Sequence, residues 1–163
     1  MTQVITVRVE GLDRVLAGLQ PVPLFAAPLR KGFDAVGYLL TSEAKRRAPV
    51  DRGTLRASIA HEVEGGAIPT GVKIGAKPFY APYMEYGTGL AHDHPSWPRK
   101  RHMVPPGALD GWAKRKGLDG GAVARSINKR GGLAPRRFLR GALEANEARV
   151  VAIVRKALQS VTI

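Results

Sequence analysis

The chain of 163 residues has the length of one domain and is long enough to bury a substantial core. It has no cysteine, which excludes disulfide bonds and thiolate metal sites. It also has neither a secretory signal nor an apolar run of the ~20 residues needed to cross a bilayer, so we expect no membrane association. The formal net charge of +13 is concentrated in residues 99–140, where twelve Lys and Arg face only Asp110 and Asp119, a net charge of +10. Such a field attracts polyanions and opposes the close approach of identical copies.

The N-terminal residues predict a strand followed by a short helix. Residues 4–9 alternate between polar and β-branched apolar residues, which is typical of a strand with one apolar face. Residues 12–19 have the apolar spacing of a short helix, and the prolines at positions 21, 23 and 28 are expected to end it and to fix a linker.

A long amphipathic helix is predicted from Pro28 to Ala48. Its apolar residues recur at steps of four, three and four, as Leu29, Phe33, Val36 and Leu40. Pro28 suits the first turn, and the three basic residues at 45–47 suit the last turn, where cations complement the helix dipole. Pro49 ends the helix.

A turn and a hairpin follow. In the turn at residues 50–54, Asp51 is expected to accept hydrogen bonds from the amides two or three residues later, and Gly53 to take a positive φ. Residues 54–57 suit one helical turn. The alternating residues 58–64 and the return at 71–75 predict a β-hairpin.

The second half of the chain predicts one more strand and then helices. Residues 80–86 suggest a further strand, or a strand and turn, that ends at Gly87. Residues 89–106 predict an irregular loop that is long enough to be functional or mobile. Helices are predicted over 106–116, 120–130 and 137–161, and the glycines at 117 and 131 suit C-caps. The apolar stripe of the last helix comprises Leu139, Leu143, Val150, Ile153 or Val154, Ala157 and Val161.

These elements predict an α+β fold in one domain, residues 1–163. An antiparallel sheet of about four strands would be packed by the helix at 28–48 and the C-terminal helix. Residues 1–88 and 135–161 would form this core, and residues 89–134 a basic loop and helical insertion.

Three segments couple turn residues to apolar stripes. Residues 48–59 have the sequence Ala-Pro-Val-Asp-Arg-Gly-Thr-Leu-Arg-Ala-Ser-Ile, residues 80–88 contain Tyr-Ala-x-Tyr-x-Glu-Tyr-Gly-Thr, and residues 137–143 are Arg-Phe-Leu-Arg-Gly-Ala-Leu. Together and in this order they resemble the tail-completion (head–tail joining, or neck) proteins of long-tailed bacteriophages. The chain departs from the family pattern at Arg52, where Thr is usual, and at Arg137 and Gly141, where proline is usual.

The resemblance implies a structural virion protein of the neck or tail end, without enzymatic activity and without cofactors or metals. It implies a homo-oligomeric ring, with a hexamer favoured, through which DNA passes. The implied partners are a head connector or stopper protein and tail terminator or tail-tube proteins. The resemblance also implies that the subunit is made and assembled in the host cytoplasm. The positions that match the family motifs are Pro49, Asp51, Gly53, Leu55, Ser58, Tyr80, Glu85, Gly87, Thr88, Phe138 and Leu139.

Two groups of residues could instead carry chemistry. Glu85 could act as a general acid or base, but no second acid or nucleophile stands at a recognisable spacing, so an ion pair with an arginine of residues 52–56 is favoured. His92, Asp93, His94 and His102 could ligate a metal, but their spacing matches no closed tetrahedral site, which favours a solvated loop.

The basic region could contact phosphates without reading sequence. Trp97 and Trp112 could stack on bases, although the helical position of Trp112 favours the core. Alternative functions are therefore a nonspecific DNA-binding module and, less favoured, a small basic nuclease that uses Glu85 with the histidines. The candidate polyanion contacts are Arg99, Lys100, Arg101, Lys114, Arg115, Lys116, Lys129, Arg130, Arg136 and Arg137.

Overall fold

The computed structural model describes residues 3–8, residue 10 and residues 23–160. The short helix predicted over 12–19 lies outside these residues, as do Val9 and Val161. The described elements, in chain order, are β1 (Gln3–Arg8), α1 (Pro23–Arg47), α2 (Thr54–Ser58), β2 (Ala60–Gly65), β3 (Pro69–Ala76), α3 (Ala81–Tyr86), α4 (Asp110–Lys116), α5 (Gly120–Arg130), α6 (Arg140–Glu144) and α7 (Glu147–Gln159).

The sheet is antiparallel, with the strand order β1-β3-β2. Val7 and Val63 both pair with Val72 of the central strand, and Ile5 pairs with Ile74. Val72 and Ile74 are completely buried, because side chains of this register share the face that α1 covers. The α+β class and the hairpin are therefore confirmed.

The expected fourth strand is wrong, since residues 81–86 form helix α3 and the described sheet has three strands. Pro82 lies in the first turn of α3, where its missing N–H costs nothing, whereas in a sheet it would remove a ladder hydrogen bond. Ala81 and Glu85, four residues apart, are the buried residues of α3, which is a helical period and not the alternation of a strand.

Helix α1 lies at the centre of the core. The predicted apolar face is confirmed, because Leu29, Phe33, Val36 and Leu40 are each at most 1% exposed. The helix begins at Pro23 instead of Pro28. Proline is favoured in a first turn, and Pro23 provides that start signal while Pro28 is accommodated in the helix close to its N-terminal end.

Helix α1 contacts β2 and β3 as well as α7 and α6. Gly32 makes the packing against α7 close, because a Cβ at this position would lie 2.6 Å from the Cβ of Ala157. The C-terminal helix was predicted as one segment, but the structure divides it at Ala145 and Asn146. The buried Asn146 uses its side-chain amide to donate to the carbonyl of Ala142 (2.9 Å), and such local bonds compete with a continuous helix.

The insertion leaves and rejoins the core at adjacent positions. Thr88 N–H donates to Leu133 O (2.8 Å), and Leu90 N–H donates to Gly131 O (3.0 Å). Residues 87–109 form neither helix nor strand, which confirms the loop predicted over 89–106, whereas the helix predicted from residue 106 begins only at Asp110. Helices α4 and α5 pack against each other, and both end at glycines in the left-handed conformation, Gly117 (φ 66°) and Gly131 (φ 75°).

Candidate interaction surface

Glu85 joins two of the sequence motifs inside the core. It is completely buried, and its carboxylate accepts hydrogen bonds from the backbone N–H groups of Leu139 (2.8 Å) and Arg140 (2.9 Å). The Arg140 guanidinium donates to the same carboxylate at 3.1 Å. Glu85 therefore fixes the start of α6, where a negative charge also complements the helix dipole.

The expected ion pair between Glu85 and residues 52–56 is wrong. Because residues 81–86 are helical, the Glu85 side chain faces the segment before α6, and its partner is Arg140. Arg52 and Arg56 are both exposed. The arrangement gives Glu85 a structural role in the core, with hydrogen-bond donors around it.

Arg140 continues this network to the surface. Its guanidinium lies 4.4 Å from the centre of the Tyr86 ring and donates to Asp93 at 2.7 Å, and Arg137 also pairs with Asp93 at 2.7 Å. Burial alone would raise the pKa of Asp93, but the hydrogen bonds from Arg140 and Arg137 outweigh it and hold that pKa below its usual value. Burial would lower the pKa of Arg140, whereas Asp93 and Glu85 raise it above its ordinary value.

Arg137 stands where the resemblance to the tail-completion family implies proline. Its φ is +47°, in the left-handed region, and its N–H donates to Glu85 O at 3.1 Å. Proline has a φ near −65° and no N–H, so this backbone excludes the residue that is usual there.

The remaining motif residues serve turns and packing. Leu55, Phe138 and Leu139 belong to the buried core, and the Ser58 hydroxyl donates to Leu55 O at 2.8 Å. The expected positive φ of Gly53 is confirmed at +83°.

The second motif ends at the base of the insertion. Gly87 has a φ of +81°, and a Cβ there would collide with Leu133 O. The Thr88 hydroxyl accepts from Leu133 N–H at 3.0 Å. Tyr80 precedes α3 and meets Phe79 edge-on.

Asp51 has a partner that the sequence analysis missed. Its expected role was to accept hydrogen bonds from amides in its own turn, and this is wrong, since its carboxylate accepts from Arg115 of α4 at 2.7 Å. The Lys116 ammonium donates to Val50 O at 2.9 Å. The hydrogen bond from Arg115 holds the pKa of Asp51 below its usual value. These contacts connect the turn after α1 to the insertion.

The histidines of the loop pack with aromatic rings. His94 stacks on Trp97, with ring centres 4.4 Å apart and planes at 15°. His92 is 4% exposed, and its Nδ1 accepts from the backbone N–H of His94 at 3.2 Å. The Asp93 carboxylate forms its ion pairs with Arg137 and Arg140. Among the described residues, no three or more His, Asp or Glu side chains come together in a way that could hold a metal.

The candidate polyanion contacts are all exposed. Four of them have partners within the chain: Arg115 pairs with Asp51, Arg137 pairs with Asp93, Arg101 donates to Asn128 O, and Lys116 donates to Val50 O. The others, which form no ion pair with a described side chain, are Arg99, Lys100, Lys114, Lys129, Arg130 and Arg136. The insertion therefore presents a cationic surface.

A cleft of about 1590 Å³ separates the insertion from the core. Its core wall includes Leu55, Tyr83 and Met84, and its insertion wall includes Leu109, Trp112, Val123 and Ile127. Both tryptophans of the chain line it, and Trp112 is half-buried instead of fully within the core. Sequence patterns did not predict this cleft, because its walls come from segments far apart in the chain.

Residues 28–87 match the model of one family, HK97-gp10-like, described as "Bacteriophage HK97-gp10, putative tail-component". This part of the chain resembles a phage tail component. The predicted family resemblance is thereby confirmed over α1, the hairpin and α3. No curated protein and no solved structure matches the chain significantly.

The HK97-gp10-like match relates residues 28–87 to a family of phage tail components. The match ends at Gly87, so the insertion and the C-terminal helices lie outside it. Among the described residues, no helix is both long and apolar enough to cross a membrane.

Proposed function

We propose that this protein is a tail-completion or head–tail joining subunit that forms part of a ring in the neck or tail end of a long-tailed phage. The observation that carries the proposal is the match of residues 28–87 to a family of phage tail components. Repetition of one contact between copies around an axis would close such a ring.

Two features of the surface support assembly with other chains. Strands β1 and β2 are the outer strands of the sheet, and among the described residues neither has a second neighbouring strand. Exposed strand edges are common sites of pairing between chains. Phe79 is 77% exposed and Tyr38 is 68% exposed, which gives apolar contacts close to the sheet.

The exposed cations support a role near DNA or near an acidic neighbouring ring. Arg99, Lys100 and Lys114 form no ion pair with a described side chain, and the whole stretch 99–140 carries +10. Contacts of this type neutralise phosphates without reading sequence. Contacts with DNA or with an acidic neighbouring ring would also offset the repulsion between positively charged copies in a ring.

Electron microscopy of the purified protein, alone and with isolated tail tubes, tests the ring. We expect closed rings of uniform diameter, or rings at the tube end. A protein that stays monomeric with and without tubes at high concentration contradicts the proposal.

Charge reversal tests the electrostatic part. We expect Arg99→Glu, Lys100→Glu and Arg101→Glu together to reduce the yield of infectious particles. The matched control reverses Arg30, Lys31 and Arg155, which are exposed on α1 and α7. Salt-sensitive binding of free duplex DNA by the isolated chain, without any ring, would instead favour the alternative of a nonspecific DNA-binding module.

A further inference from the structure

We propose that the cleft between the core and the insertion binds an acidic segment of another protein that carries large apolar side chains. The proposal adds a partner chemistry to the function proposed above and rests on it only in placing that partner in the virion. The cleft, its cationic rim and one buried donor group support it, and the test uses the isolated protein.

The walls of the cleft suit apolar side chains. Leu55 and Met84 contribute from the core, and Leu109, Trp112 and Ile127 contribute from the insertion. Tyr83, which also lines the cleft, is 46% exposed. A concave apolar lining of this kind is typical of sites that receive the anchor side chains of a partner.

The positive charge at the rim of the cleft favours a negatively charged partner. Arg52, Arg130 and Arg136 line the cleft, are exposed, and form no ion pair with any described side chain. Asp51 is the only carboxylate among the described lining residues, and Arg115 holds it. The cleft therefore presents three guanidinium groups that form no ion pair with a described carboxylate, and guanidinium groups favour carboxylates through paired hydrogen bonds.

His92 places a buried hydrogen-bond donor in the lining of the cleft. It is 4% exposed, and its Nδ1 accepts the His94 N–H, so the proton of the neutral ring resides on Nε2. Nε2 is buried and has no hydrogen-bond partner among the described residues. Buried donors are normally paired, and a carboxylate or carbonyl oxygen of a bound segment would pair this one.

The aromatic side chains favour a protein segment over nucleic acid. Nonspecific binding of single strands needs ring faces that are free to stack on bases. One face of Trp97 is covered by His94, with planes at 15°, and its ring also contacts Tyr83 and Tyr86. Among the apolar lining residues, aliphatic side chains such as Leu55, Leu109 and Ile127 outnumber the tyrosines and tryptophans, and they suit leucine or phenylalanine anchors better than bases.

A random dodecapeptide library displayed on yeast tests the partner chemistry. The full-length protein is the bait, and the variant with Arg52→Glu, Arg130→Glu and Arg136→Glu is used for counter-selection. We expect the enriched peptides to combine two or more acidic residues with two or more large apolar residues. Failure to enrich any peptide, or enrichment of basic ones, would overturn the proposal.

Tryptophan fluorescence then locates the binding, because the chain has two tryptophans and both line the cleft. We expect an enriched peptide to shift the emission, with at least tenfold weaker binding to the rim variant. The control variant Arg30→Glu, Lys31→Glu and Arg155→Glu makes the same change in net charge outside the cleft and should bind normally. Circular dichroism confirms that both variants are folded.

Two further results would overturn the proposal. Equal weakening by both variants would show that only net charge matters. If a twelve-nucleotide thymidine oligomer binds more tightly than the enriched peptide and causes the same emission shift, the cleft binds nucleic acid. Electron microscopy of the rim variant separates this proposal from the ring proposal, since rings that form without peptide binding would show that the two are independent.

Discussion

In the core, Phe33, Phe138 and Leu139 are at most 1% exposed, whereas the largest buried apolar side chain of the insertion is Ile127, at 8%. The other buried apolar residues of the insertion, Ala113 and Ala124, are small. The insertion lies outside the main hydrophobic cluster and is held to the core by polar contacts and by the contacts of the Trp97 ring with Tyr83 and Tyr86. Because apolar burial provides most of the folding free energy, the insertion should open more readily than the core.

The core and the insertion also differ in the features that they contribute to the molecule. The core contains the segment that matches the phage family and has a buried polar network centred on Glu85. The insertion has nine Lys and Arg against Asp93, Asp110 and Asp119, a net charge of +6, and it forms one wall of the cleft. A weakly anchored region can adjust to a partner without cost to the fold that presents it.

The largest effect is expected from removing the Glu85 carboxylate, which connects α3 to the start of α6. We expect Glu85→Ala to lower the free energy of unfolding by about 3 kcal/mol, because the buried N–H of Leu139, the partly buried N–H of Arg140 and the Arg140 guanidinium lose their acceptor. Urea unfolding followed by circular dichroism measures the change. Glu64→Ala is the matched control, since Glu64 pairs with Arg8 on the surface and should matter little. Equal midpoints for both variants would contradict the structural role of Glu85.

The second effect concerns a substitution toward the family pattern. We expect Arg137→Pro to destabilise the protein by about 2 kcal/mol, because proline cannot adopt a φ of +47° or donate to Glu85 O. Arg137→Gly is the control: it tolerates this φ and should stay within about 1 kcal/mol of the parent protein. Thermal unfolding of the pair provides the measurement. A proline variant that is as stable as the glycine variant would show that the backbone adapts.

The sequence predicted the parts of the fold that depend on local periodicity. The face of α1 with Leu29, Phe33, Val36 and Leu40 and the hairpin were predicted correctly. Residues 80–86 were assigned to the wrong type of element, because a segment this short has too few residues to separate a period of 3.6 from one of 2. Pro82 was the signal that could have indicated a helix.

The site was predictable only in part. Order and spacing of the motifs indicated the resemblance to phage tail components that residues 28–87 show, and the run of cations indicated the basic surface. The partners of Glu85 and Asp51 could not be predicted, because each lies more than 50 residues away in the chain. Contacts at such distances depend on tertiary packing, and so does the cleft.

A smaller and local effect is expected inside the insertion. The Asn128 side chain accepts from Val104 N–H (2.7 Å) and donates to Val104 O (3.1 Å), which ties the long loop to α5. We expect Asn128→Ala to lower local stability by about 1–2 kcal/mol. Hydrogen exchange of residues 100–130 should become faster while the core amides keep their rates. Ser126→Ala, at an exposed position of the same helix, is the control, and equal acceleration in the core would show that both regions unfold as one unit.

The smallest effect is expected where the two regions meet at the surface. The Arg115 hydrogen bond lowers the pKa of Asp51 in the folded protein, so this contact stabilises at pH values above the unfolded pKa of about 3.9 and is lost as the pH falls through the folded value. We therefore expect the protection of α4 amides, corrected for intrinsic exchange, to be constant from pH 7 to 5 and to fall below about pH 4. Asp51→Asn should remove this acid dependence of α4 and leave the core midpoint unchanged. If α4 in this variant keeps the acid dependence of the parent protein, another carboxylate controls the junction, and the insertion is held to the core by a contact other than the Asp51–Arg115 pair.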